Sequence, residues 1–363
     1  MTSYAHRLVL WYKAHRREMP WRNTSNPYEI WVSETMLQQT RVETVIPYYH
    51  AFLRDFPTVA ALAAADEQAV LKRWQGLGYY SRARNLHRAA KVLMADHGGE
   101  IPPDVESFRK LPGVGPYTAG AVMSIAFHLP VPAVDGNVMR VMTRWLGIAL
   151  PIETAACRNQ VTEQTRAWLQ EADPAALTQA LMELGATVCT PRSPRCEACP
   201  IAEGCFANLR NAVERFPVRK AKAERRRIDI AALWLEERGR LWLEQRPDEG
   251  LLAGMWQLPA WEVHQEGGTE SELAALVRDG LEKWAAAGDI PPTQLPASFA
   301  KIDEARHIFT HLEWVVHVFR PIYTAPPAPL PEVARRRKVN AEELSELPLP
   351  RIYEKLLTRF AGP

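Results

Sequence analysis

Apolar residues recur at helical spacing along roughly the first 206 residues of the chain. Short proline and glycine signals divide this part into segments, among them Met19-Pro20, Asn26-Pro27, Phe56-Pro57 and Gly98-Gly99. A spacing of three to four residues between apolar positions is typical of amphipathic helices, and strand-like alternation is scarce here. The pattern therefore predicts a helical domain over residues 1–206.

The pattern changes after residue 228. Ile228–Leu235 is a short apolar run, Arg240–Gln245 alternates between its two faces, and Phe309–Phe319 alternates again. Such runs, separated by proline-rich breaks, are typical of strands. Because 363 residues suffice for two domains, we expect an α+β domain over residues 229–363, joined to the first by a linker over residues 207–228.

Composition adds little, but the linker is distinctive. The hydrophobic content of 47% is enough for ordinary cores, and the net charge is only +2. The stretch from residue 207 to 227 nevertheless holds eight Lys and Arg residues against two Glu residues. Runs of this kind are either solvated linkers or contacts to nucleic-acid phosphates, and both interpretations remain open.

Neither a signal peptide nor a membrane span is expected. The first 20 residues mix charged and apolar side chains without an apolar core or a small-residue cleavage site. Uninterrupted apolar runs of about 20 residues do not occur. Four closely spaced cysteines also favour a reducing compartment, so we expect a cytoplasmic protein.

Those cysteines have the spacing Cys189-x6-Cys196-x2-Cys199-x5-Cys205, and the chain has one other cysteine, Cys157, to which we assign no role. Thiolates select zinc or iron–sulfur clusters, and structural zinc sites usually pair two CxxC-like units. A single CxxC with longer arms suits a 4Fe–4S cluster better, with zinc and buried or disulfide-paired cysteines as the alternatives. The spacing resembles the cluster loop of the endonuclease III superfamily of base-excision DNA glycosylases.

Glu34 lies on a predicted helix over residues 28–41, on one stripe with Ile30 and Leu37. Poor solvation raises the pKa of a carboxyl and suits it to act as a general acid, whereas the plain alternative is a partly exposed helix glutamate. The segment from Ser33 to Thr40 is similar to the catalytic segment of MutY-type adenine glycosylases. The resemblance implies that Glu34 protonates adenine at N7, and that Gln39 and Thr40 enter the base stack near the opposing lesion.

Two further segments are candidates for a DNA-binding turn and for a second functional carboxyl. Leu111–Gly115 separates predicted helices over 104–110 and 116–127, and Gly113 and Gly115 permit a tight turn with exposed amides for a phosphate. This resembles a helix-hairpin-helix, although a turn alone is the simpler interpretation. Asp135 stands at a predicted helix start, where it is either a plain cap or an ionised carboxylate that stabilises a cationic sugar.

The superfamily resemblance assigns roles at these positions. It makes Asp135 the catalytic aspartate and Asn137 a supporting residue. Bifunctional glycosylase/lyases carry a lysine after the hairpin proline, where this chain has Tyr117, and a phenol cannot form a Schiff base. The resemblance also places Leu77 and Tyr79 in a wedge that enters the base stack, and Trp21 and Arg22 in the adenine pocket, although Tyr79 and Tyr117 could equally be packing aromatics.

In the second half, Gly250–Pro259 resembles the segment that opens a Nudix fold. The magnesium-binding R-E-x-x-E-E box of working Nudix hydrolases does not follow it, so we expect a recognition module rather than a pyrophosphatase. Arg306–His311 resembles the loop that reads 8-oxoguanine in this family. Phe309, Thr310 and His311 are its expected contacts, with threonine where many relatives have serine.

Together these resemblances imply an all-α helix-hairpin-helix glycosylase domain, with a six-helix barrel and a cluster lobe, followed by an α+β Nudix-like domain. The expected function is a monofunctional, monomeric adenine DNA glycosylase with a 4Fe–4S cluster, acting on double-stranded DNA with adenine opposite 8-oxoguanine or guanine. Two alternatives remain: a bifunctional endonuclease III-type enzyme for oxidised pyrimidines, and a non-enzymatic DNA-binding or sensing module.

Overall fold

The computed structural model describes residues 2–221, 224–263, 267–287, 290–324, 329–333 and 335–360. The chain forms two compact units, one comprising Met1–Ala65 with Arg82–Ala221, the other Asp66–Ser81 with Lys222–Pro363. The predicted boundaries at residues 206 and 228 stay predictions. Of the predicted basic linker, Lys222 and Ala223 lie outside the described residues.

Twelve α-helices precede the first strand in the part of the chain that the structure describes. They are α1 (Tyr4–His15), α2 (Pro27–Leu37), α3 (Val42–Asp55), α4 (Val59–Ala64), α5 (Glu67–Trp74), α6 (Ser81–Asp96), α7 (Val105–Arg109), α8 (Pro116–Phe127), α9 (Gly136–Leu146), α10 (Ala155–Leu169), α11 (Pro174–Thr187) and α12 (Phe206–Leu209). The helical prediction for this half is confirmed.

Helices α1, α9, α10 and α11 of the first unit pack around one buried apolar core. Leu8 of α1, Met142 of α9, Val161 of α10 and Leu181 of α11 are fully buried in it, as is Cys157. Helix α2 packs separately against α8, and α8 also contacts α11. The pairing of α2 with α8 brings together two of the predicted active-site segments.

Helix α2 is shorter than the sequence pattern predicts. Asn26 caps its start through the amide of Tyr28, and Pro27 occupies its first turn, as expected. The helix ends at Leu37 rather than at residue 41, because Gln39 has a left-handed backbone with φ of 59°. Residues 38–40 therefore form a turn that leaves the helix axis.

The second half is α+β, as predicted. Its elements are β1 (Arg226–Leu233), β2 (Glu236–Glu237), β3 (Arg240–Gln245), β4 (Trp256–Gln257), β5 (Ala260–Glu262), α13 (Glu270–Ala286), β6 (Ser298–Ile308), β7 (Leu312–Ile322), β8 (Arg336–Val339), α14 (Ala341–Glu346) and α15 (Arg351–Phe360). One sheet has the order β5-β1-β7-β6, and the other has β2-β3-β4 with β8 paired to β3.

Strand β1 lies parallel to β7 and is buried on both faces. Ile230 and Ala232 face one core, which includes Tyr353 of α15, whereas Ala231 and Leu233 face a second core with α13. This division follows from the two-residue period of a strand. The sheet is thus sandwiched between two cores, which explains why the sequence of β1 reads as one continuous apolar run.

The alternation predicted over residues 309–319 spans more than one element. Residues 309–311 form the turn between β6 and β7, which is closed by a 2.8 Å hydrogen bond from the Phe309 amide to the Leu312 carbonyl. The predicted lesion-recognition residues therefore lie at the tip of a hairpin rather than within a strand. Across the described residues, no helix is both long and apolar enough to cross a membrane.

Candidate active site

The carboxyl of Glu34 is buried within α2, with only 5% of the residue exposed. Burial raises its pKa to about 7; the nearby charge of Asp135 acts in the same direction, while the Tyr117 hydrogen bond and Arg22 oppose the shift. This is the poorly solvated environment that the apolar stripe on the helix predicts. A carboxyl with this pKa is substantially protonated at neutral pH and can donate its proton to a base.

Tyr117, in the first turn of α8, donates a hydrogen bond from its hydroxyl to Oε2 of Glu34. Burial raises the pKa of the phenol well above its usual value, so the hydroxyl stays protonated and serves as a donor. The position predicted to distinguish a lyase from a hydrolase therefore holds a neutral side chain in direct contact with the acid.

Asp135 caps α9, as predicted. Its Oδ1 accepts a 2.7 Å hydrogen bond from the Val138 amide, and its Oδ2 accepts a 2.8 Å bond from Nδ2 of Asn137. Burial nevertheless raises its pKa, although these donors and Arg140 lower it. The contrast between the two acids is therefore smaller than the helix-end argument predicts, because desolvation acts on both.

What separates the two carboxyls is the number of donors that face them. Asp135 accepts a backbone amide and a side-chain amide, which favour its ionised form. Glu34 accepts the Tyr117 hydroxyl and lies in an apolar helix interface. The arrangement suits Glu34 to give up a proton and Asp135 to face a positive charge.

Two glycines permit the close packing of this region. A Cβ on Gly120 of α8 would lie 2.1 Å from the Pro132 carbonyl oxygen, just before Asp135 in the chain. A Cβ on Gly185 of α11 would lie 2.6 Å from Cβ of Asn137. Larger residues at either position would displace the segment that carries the aspartate.

A buried ion-pair network that the sequence analysis missed lies beside the acid. Glu183 of α11 is 1% exposed and accepts hydrogen bonds from Arg17 Nε at 2.8 Å and Arg22 Nη2 at 2.7 Å. Burial opposes its ionisation, but the two guanidinium groups lower the pKa of Glu183 to about 2. The signal that could have found it is the one used for Glu34, an acid between apolar helix neighbours.

The predicted pocket residues Trp21 and Arg22 differ in their surroundings. Trp21 is buried and packs edge-on against Tyr49, with ring centroids 5.4 Å apart. Arg22 is held by Glu183 and by the Arg17 carbonyl, and its guanidinium lies over the ring of Tyr12 at 5.2 Å. Arg22 is thus fixed near enough to lower the pKa of Glu34.

The predicted hairpin lies between α7 and α8. Gly113 has a φ of 76°, and a Cβ there would lie 2.5 Å from Cβ of Asn85. Gly115, the N-cap of α8, has an ordinary φ of −86°, and a Cβ added there would meet no atom within 4 Å. Gly113 is therefore required by the fold itself, whereas Gly115 leaves the helix start open to an approaching group.

The Asp135 site is linked to the cysteine loop by hydrogen bonds. Asn137 Oδ1 accepts a 2.8 Å bond from Arg140 Nη2, and Arg140 Nε donates at 2.8 Å to the carbonyl of Cys189. Arg140 also donates to the Gly185 carbonyl at 2.7 Å. Asn137 and Arg140 therefore connect Asp135 to the cysteine loop.

Cys189, Cys196, Cys199 and Cys205 line one cavity, and all are free thiols. Buried Arg144 donates from Nη1 to Cys189 Sγ at 3.3 Å. Burial raises the pKa of Cys199 to about 12, so a bound cation is needed to keep the ligands ionised. No three His, Cys, Asp or Glu side chains among the described residues are grouped to hold a single metal ion. Four free thiols that line one cavity fit the ligand set of a cluster.

Gln39 and Thr40 occupy the turn after α2. Gln39 is exposed, and its left-handed φ is uncommon for a residue other than glycine. The amide of Thr40 donates to the Leu37 carbonyl at 3.2 Å. Of the two predicted DNA-inserting residues, Gln39 thus lies at the surface and Thr40 is partly buried.

The second unit holds the predicted wedge and lesion-recognition residues. Leu77 is buried, whereas Tyr79 is 47% exposed. The Tyr79 hydroxyl lies 2.8 Å from Oγ1 of Thr310, at the exposed tip that also carries His311. Phe309 is anchored below the tip, edge-on to Trp314 with centroids 5.1 Å apart.

Comparisons with known proteins match all three parts of the chain. Residues 32–165 match the family of HhH-GPD superfamily base excision DNA repair proteins, and residues 230–359 match the NUDIX domain. Residues 189–205 match the iron-sulfur binding domain of endonuclease III, which favours a 4Fe–4S cluster over zinc. The predicted fold class, a helix-hairpin-helix glycosylase domain followed by a Nudix-like domain, is confirmed.

The relatives that match most of the chain share one name. The chain is 34% identical to adenine DNA glycosylase of Mus musculus, over 90% of this chain and 73% of that protein. It is also 34% identical to adenine DNA glycosylase of Homo sapiens, over 90% of this chain and 69% of that one. A solved thermostable thymine-DNA glycosylase superposes with a TM-score of 0.53 and 27% identity, covering 57% of this chain and 95% of its own.

These matches exclude the non-enzymatic alternative, because sequence identity of this extent covers both halves of the chain. They also account for the buried acid, the hairpin and the cysteine loop in one protein. The chain belongs to the adenine DNA glycosylase family, and is a DNA N-glycosylase of base-excision repair with an iron–sulfur cluster.

Proposed function

We propose that the enzyme excises adenine opposite 8-oxoguanine or guanine, and that it acts as a monofunctional hydrolase. The observation that carries the proposal is the buried Glu34 carboxyl, with a pKa of about 7 and a hydrogen bond from Tyr117. A general acid is most effective when its pKa lies near the working pH, and the pKa of Glu34 lies near neutral pH.

In the proposed reaction, adenine is flipped out of the duplex and Glu34 transfers its proton to N7. The bond between N9 and C1′ breaks, and its electron pair leaves with the base. Asp135, whose ionised form the Val138 amide and Asn137 favour, stabilises the positive charge that develops on the sugar. A water oxygen then bonds to C1′ and its proton passes to the Glu34 carboxylate, which restores the acid and leaves an abasic site.

Monofunctionality rests on Tyr117. A lyase needs an amine that attacks C1′ and forms an imine, and a phenol cannot do so. The Tyr117 hydroxyl already donates to Glu34, so it supports the acid rather than acting as a nucleophile. Borohydride should therefore fail to trap the enzyme on DNA. Efficient trapping would favour the bifunctional endonuclease III-type alternative.

Several residues are proposed to bind DNA. Gly113 and Gly115 would contact the phosphate backbone at the start of α8. Trp21 and Arg22 would border the adenine pocket. The residues proposed to enter the stack or to read the lesion are Gln39, Thr40, Leu77, Tyr79, Phe309, Thr310 and His311.

The four cysteines would hold the cluster, which when bound cross-links the loop between α11 and α12. Arg144 would then donate to a ligand sulfur, and Arg140 would tie the Cys189 carbonyl to Asn137. We further propose that the enzyme acts as a monomer in the bacterial cytosol, on the basis of the family resemblance and the reduced cysteines.

A single-turnover assay on three duplexes tests the proposal. Adenine opposite 8-oxoguanine and adenine opposite guanine should both yield alkali-labile sites, whereas cytosine opposite 8-oxoguanine should not. Little strand scission should appear before alkali. Failure to cleave either adenine duplex, with the cluster absorbance intact, would contradict the proposed substrate. Scission without alkali would contradict monofunctionality.

A further inference from the structure

Arg82 is a buried arginine that the proposed chemistry does not use. It is the second residue of α6 and is 9% exposed. Its Nη1 donates to the carbonyls of Thr35 at 2.8 Å, Met36 at 2.9 Å and Gln38 at 2.6 Å. A buried charge is costly unless it is paired or fully hydrogen-bonded, so this arrangement has a structural purpose.

The three carbonyls lie at the C-terminal end of α2. The last four carbonyls of a helix lack intrahelical partners, and a glycine after the helix commonly satisfies them. Here Gln39 stands in the left-handed conformation, which is strained for a residue other than glycine. The Arg82 guanidinium supplies the missing donors and thereby stabilises the strained turn.

The same guanidinium reaches the residue after the strained one. Nη2 of Arg82 donates to Oγ1 of Thr40 at 3.3 Å. On the other side of the turn, the Gln38 side chain donates from Nε2 to Oγ1 of Thr118 on α8, at 3.1 Å. The turn is therefore held at both ends, while the Gln39 side chain between them is left exposed.

We infer that Arg82 is a positioning residue that holds Gln39 and Thr40 in the conformation in which they enter the DNA base stack. The inference rests on the proposed role of these two residues in the function above. A preordered turn loses less conformational entropy when it inserts into DNA than a flexible turn does. Arg82 therefore acts on base flipping and on the choice of opposing base, through the turn, and not on proton transfer.

Arg82→Lys is the first test, because lysine keeps the charge and the aliphatic stem but has a single nitrogen, which cannot serve the three carbonyls and the Thr40 hydroxyl together. Arg88→Lys is the matched control: Arg88 is exposed on the same helix and bonds Asn85. The readouts are the single-turnover rate on adenine opposite 8-oxoguanine and opposite guanine, its pH profile, and the fluorescence of 2-aminopurine placed at the target base. Circular dichroism fixes a temperature at which both variants are folded.

We expect Arg82→Lys to lower the rate by about ten- to a hundredfold, the effect of roughly 1 Å of misplacement. The flipping signal should fall with the rate, while the midpoint of the pH profile stays at that of the parent. Arg88→Lys should match the parent throughout. An unchanged rate and flipping signal in Arg82→Lys would overturn the inference, as would a shifted pH midpoint, because the arginine would then act on Glu34.

A second pair of variants tests the turn without touching the buried arginine. Gln39→Asn shortens the side chain but tolerates the left-handed backbone, whereas Gln39→Val cannot adopt it readily. Because position 39 is exposed, both variants should fold. Gln39→Val should lose more of the flipping signal than Gln39→Asn, because both shorten the side chain but only valine also disfavours the left-handed backbone. Equal behaviour of the two would overturn the inference even if Arg82→Lys did not fold.

The parent enzyme separates this inference from the proposed function. A parent that fails to cleave adenine opposite 8-oxoguanine contradicts the proposed substrate and, with it, the positioning role. A parent that cleaves, alongside an Arg82→Lys variant with parental rate and flipping, contradicts the positioning role alone.

Discussion

The two regions proposed to handle DNA differ in how they are held. In the first region, Tyr117 of α8 donates a hydrogen bond to Glu34 of α2, and the start of α9 donates one to Asp135. Glu34 is almost fully buried. Tyr79 and Thr310, in the second unit, meet through one exposed hydrogen bond between hydroxyls. The first region holds its side chains in a buried network, whereas the second presents its hydroxyls at the surface.

The difference follows from what each region must do. Proton transfer requires a fixed distance and a low dielectric, which burial and a surrounding network supply. Recognition of a base in a duplex requires surface that is accessible before the DNA arrives, and exposed groups contribute little to stability. Mutations in the first region should therefore change the rate of chemistry, and mutations in the second should change selectivity by smaller amounts.

The largest expected effect is that of Glu34→Gln. Removal of a general acid lowers the rate by roughly 10²- to 10⁴-fold, and the amide keeps the volume of the side chain. Single-turnover cleavage of adenine opposite 8-oxoguanine measures it. Glu43→Gln, an exposed glutamate on the next helix, is the control and should retain the parental rate. Near-normal cleavage by Glu34→Gln would contradict the assignment of the chemistry to the buried region.

The pH dependence of the cleavage rate is a second test of Glu34 as the general acid. Because the pKa of Glu34 is about 7, the rate should be highest below pH 7 and fall about tenfold per unit well above it. A rate–pH series between pH 6 and 9 measures this. A profile that stays flat to pH 9 would contradict the role of Glu34 as the acid.

Stability should change over the same pH range. The pKa of Glu34 rises from 4.5 to about 7 on folding, so this group favours the folded state below pH 4.5, and that contribution is lost as pH rises through 7. Glu34→Gln lacks the titration. Relative to the parent, it should therefore gain about 3 kcal/mol in free energy of unfolding between pH 4.5 and pH 8. Urea unfolding at the two pH values checks the sign.

Local signals made much of this region predictable from the sequence. Helix α8 has the predicted bounds, because Pro116 starts it and its apolar pattern is continuous, and Asp135 caps α9 as expected. The ion pair of Glu183 with Arg22 could not be predicted, because the two residues are 161 positions apart. The early end of α2 also depends on a distant residue, since Arg82 follows Gln38 by 44 positions. Spacing within one helix does not reveal such pairings.

The second half shows the same limit. The alternation of side chains predicted both ends of β3 correctly, because the two-residue period of a strand is visible over six positions. It did not locate the turn at residues 309–311, since Phe309 continues the apolar pattern while packing below the hairpin tip. The contact between Tyr79 and Thr310 joins residues 231 positions apart, and only the folded chain brings them together.

The hairpin glycines give an intermediate effect. Gly113→Ala should destabilise the protein by more than about 1 kcal/mol, because its φ is 76° and Asn85 fills the space. Gly115→Ala should leave stability within about 0.5 kcal/mol, since its backbone is ordinary and the space is open.

The affinity for DNA should distinguish Gly115 from Gly113 as well. A methyl at residue 115 would hold a phosphate away from the amides at the start of α8 and remove a hydrogen bond worth about 1.5–3 kcal/mol, or tenfold or more in affinity. Thermal melting and binding to an uncleavable duplex measure the two properties. Parental affinity in Gly115→Ala would show that DNA does not approach this turn.

The smallest effect is expected where the molecule is most exposed. Tyr79→Phe and Thr310→Val each remove one hydroxyl of the same hydrogen bond, and exposed bonds of this kind contribute about 0.5–1.5 kcal/mol at most. Each variant should therefore keep the melting temperature and the rate on adenine opposite guanine, and lose a few-fold in preference for 8-oxoguanine. Thr310→Ser keeps the hydroxyl and should retain the parental preference.

The double variant decides whether the bond itself matters. If Tyr79 and Thr310 act through their mutual hydrogen bond, then Tyr79→Phe with Thr310→Val should cost no more selectivity than either change alone. Losses that add would mean that each hydroxyl acts on DNA separately. A loss in either single variant as large as that of Glu34→Gln would contradict the comparison, because an exposed pair would then control the chemistry that the buried carboxyls are placed to perform.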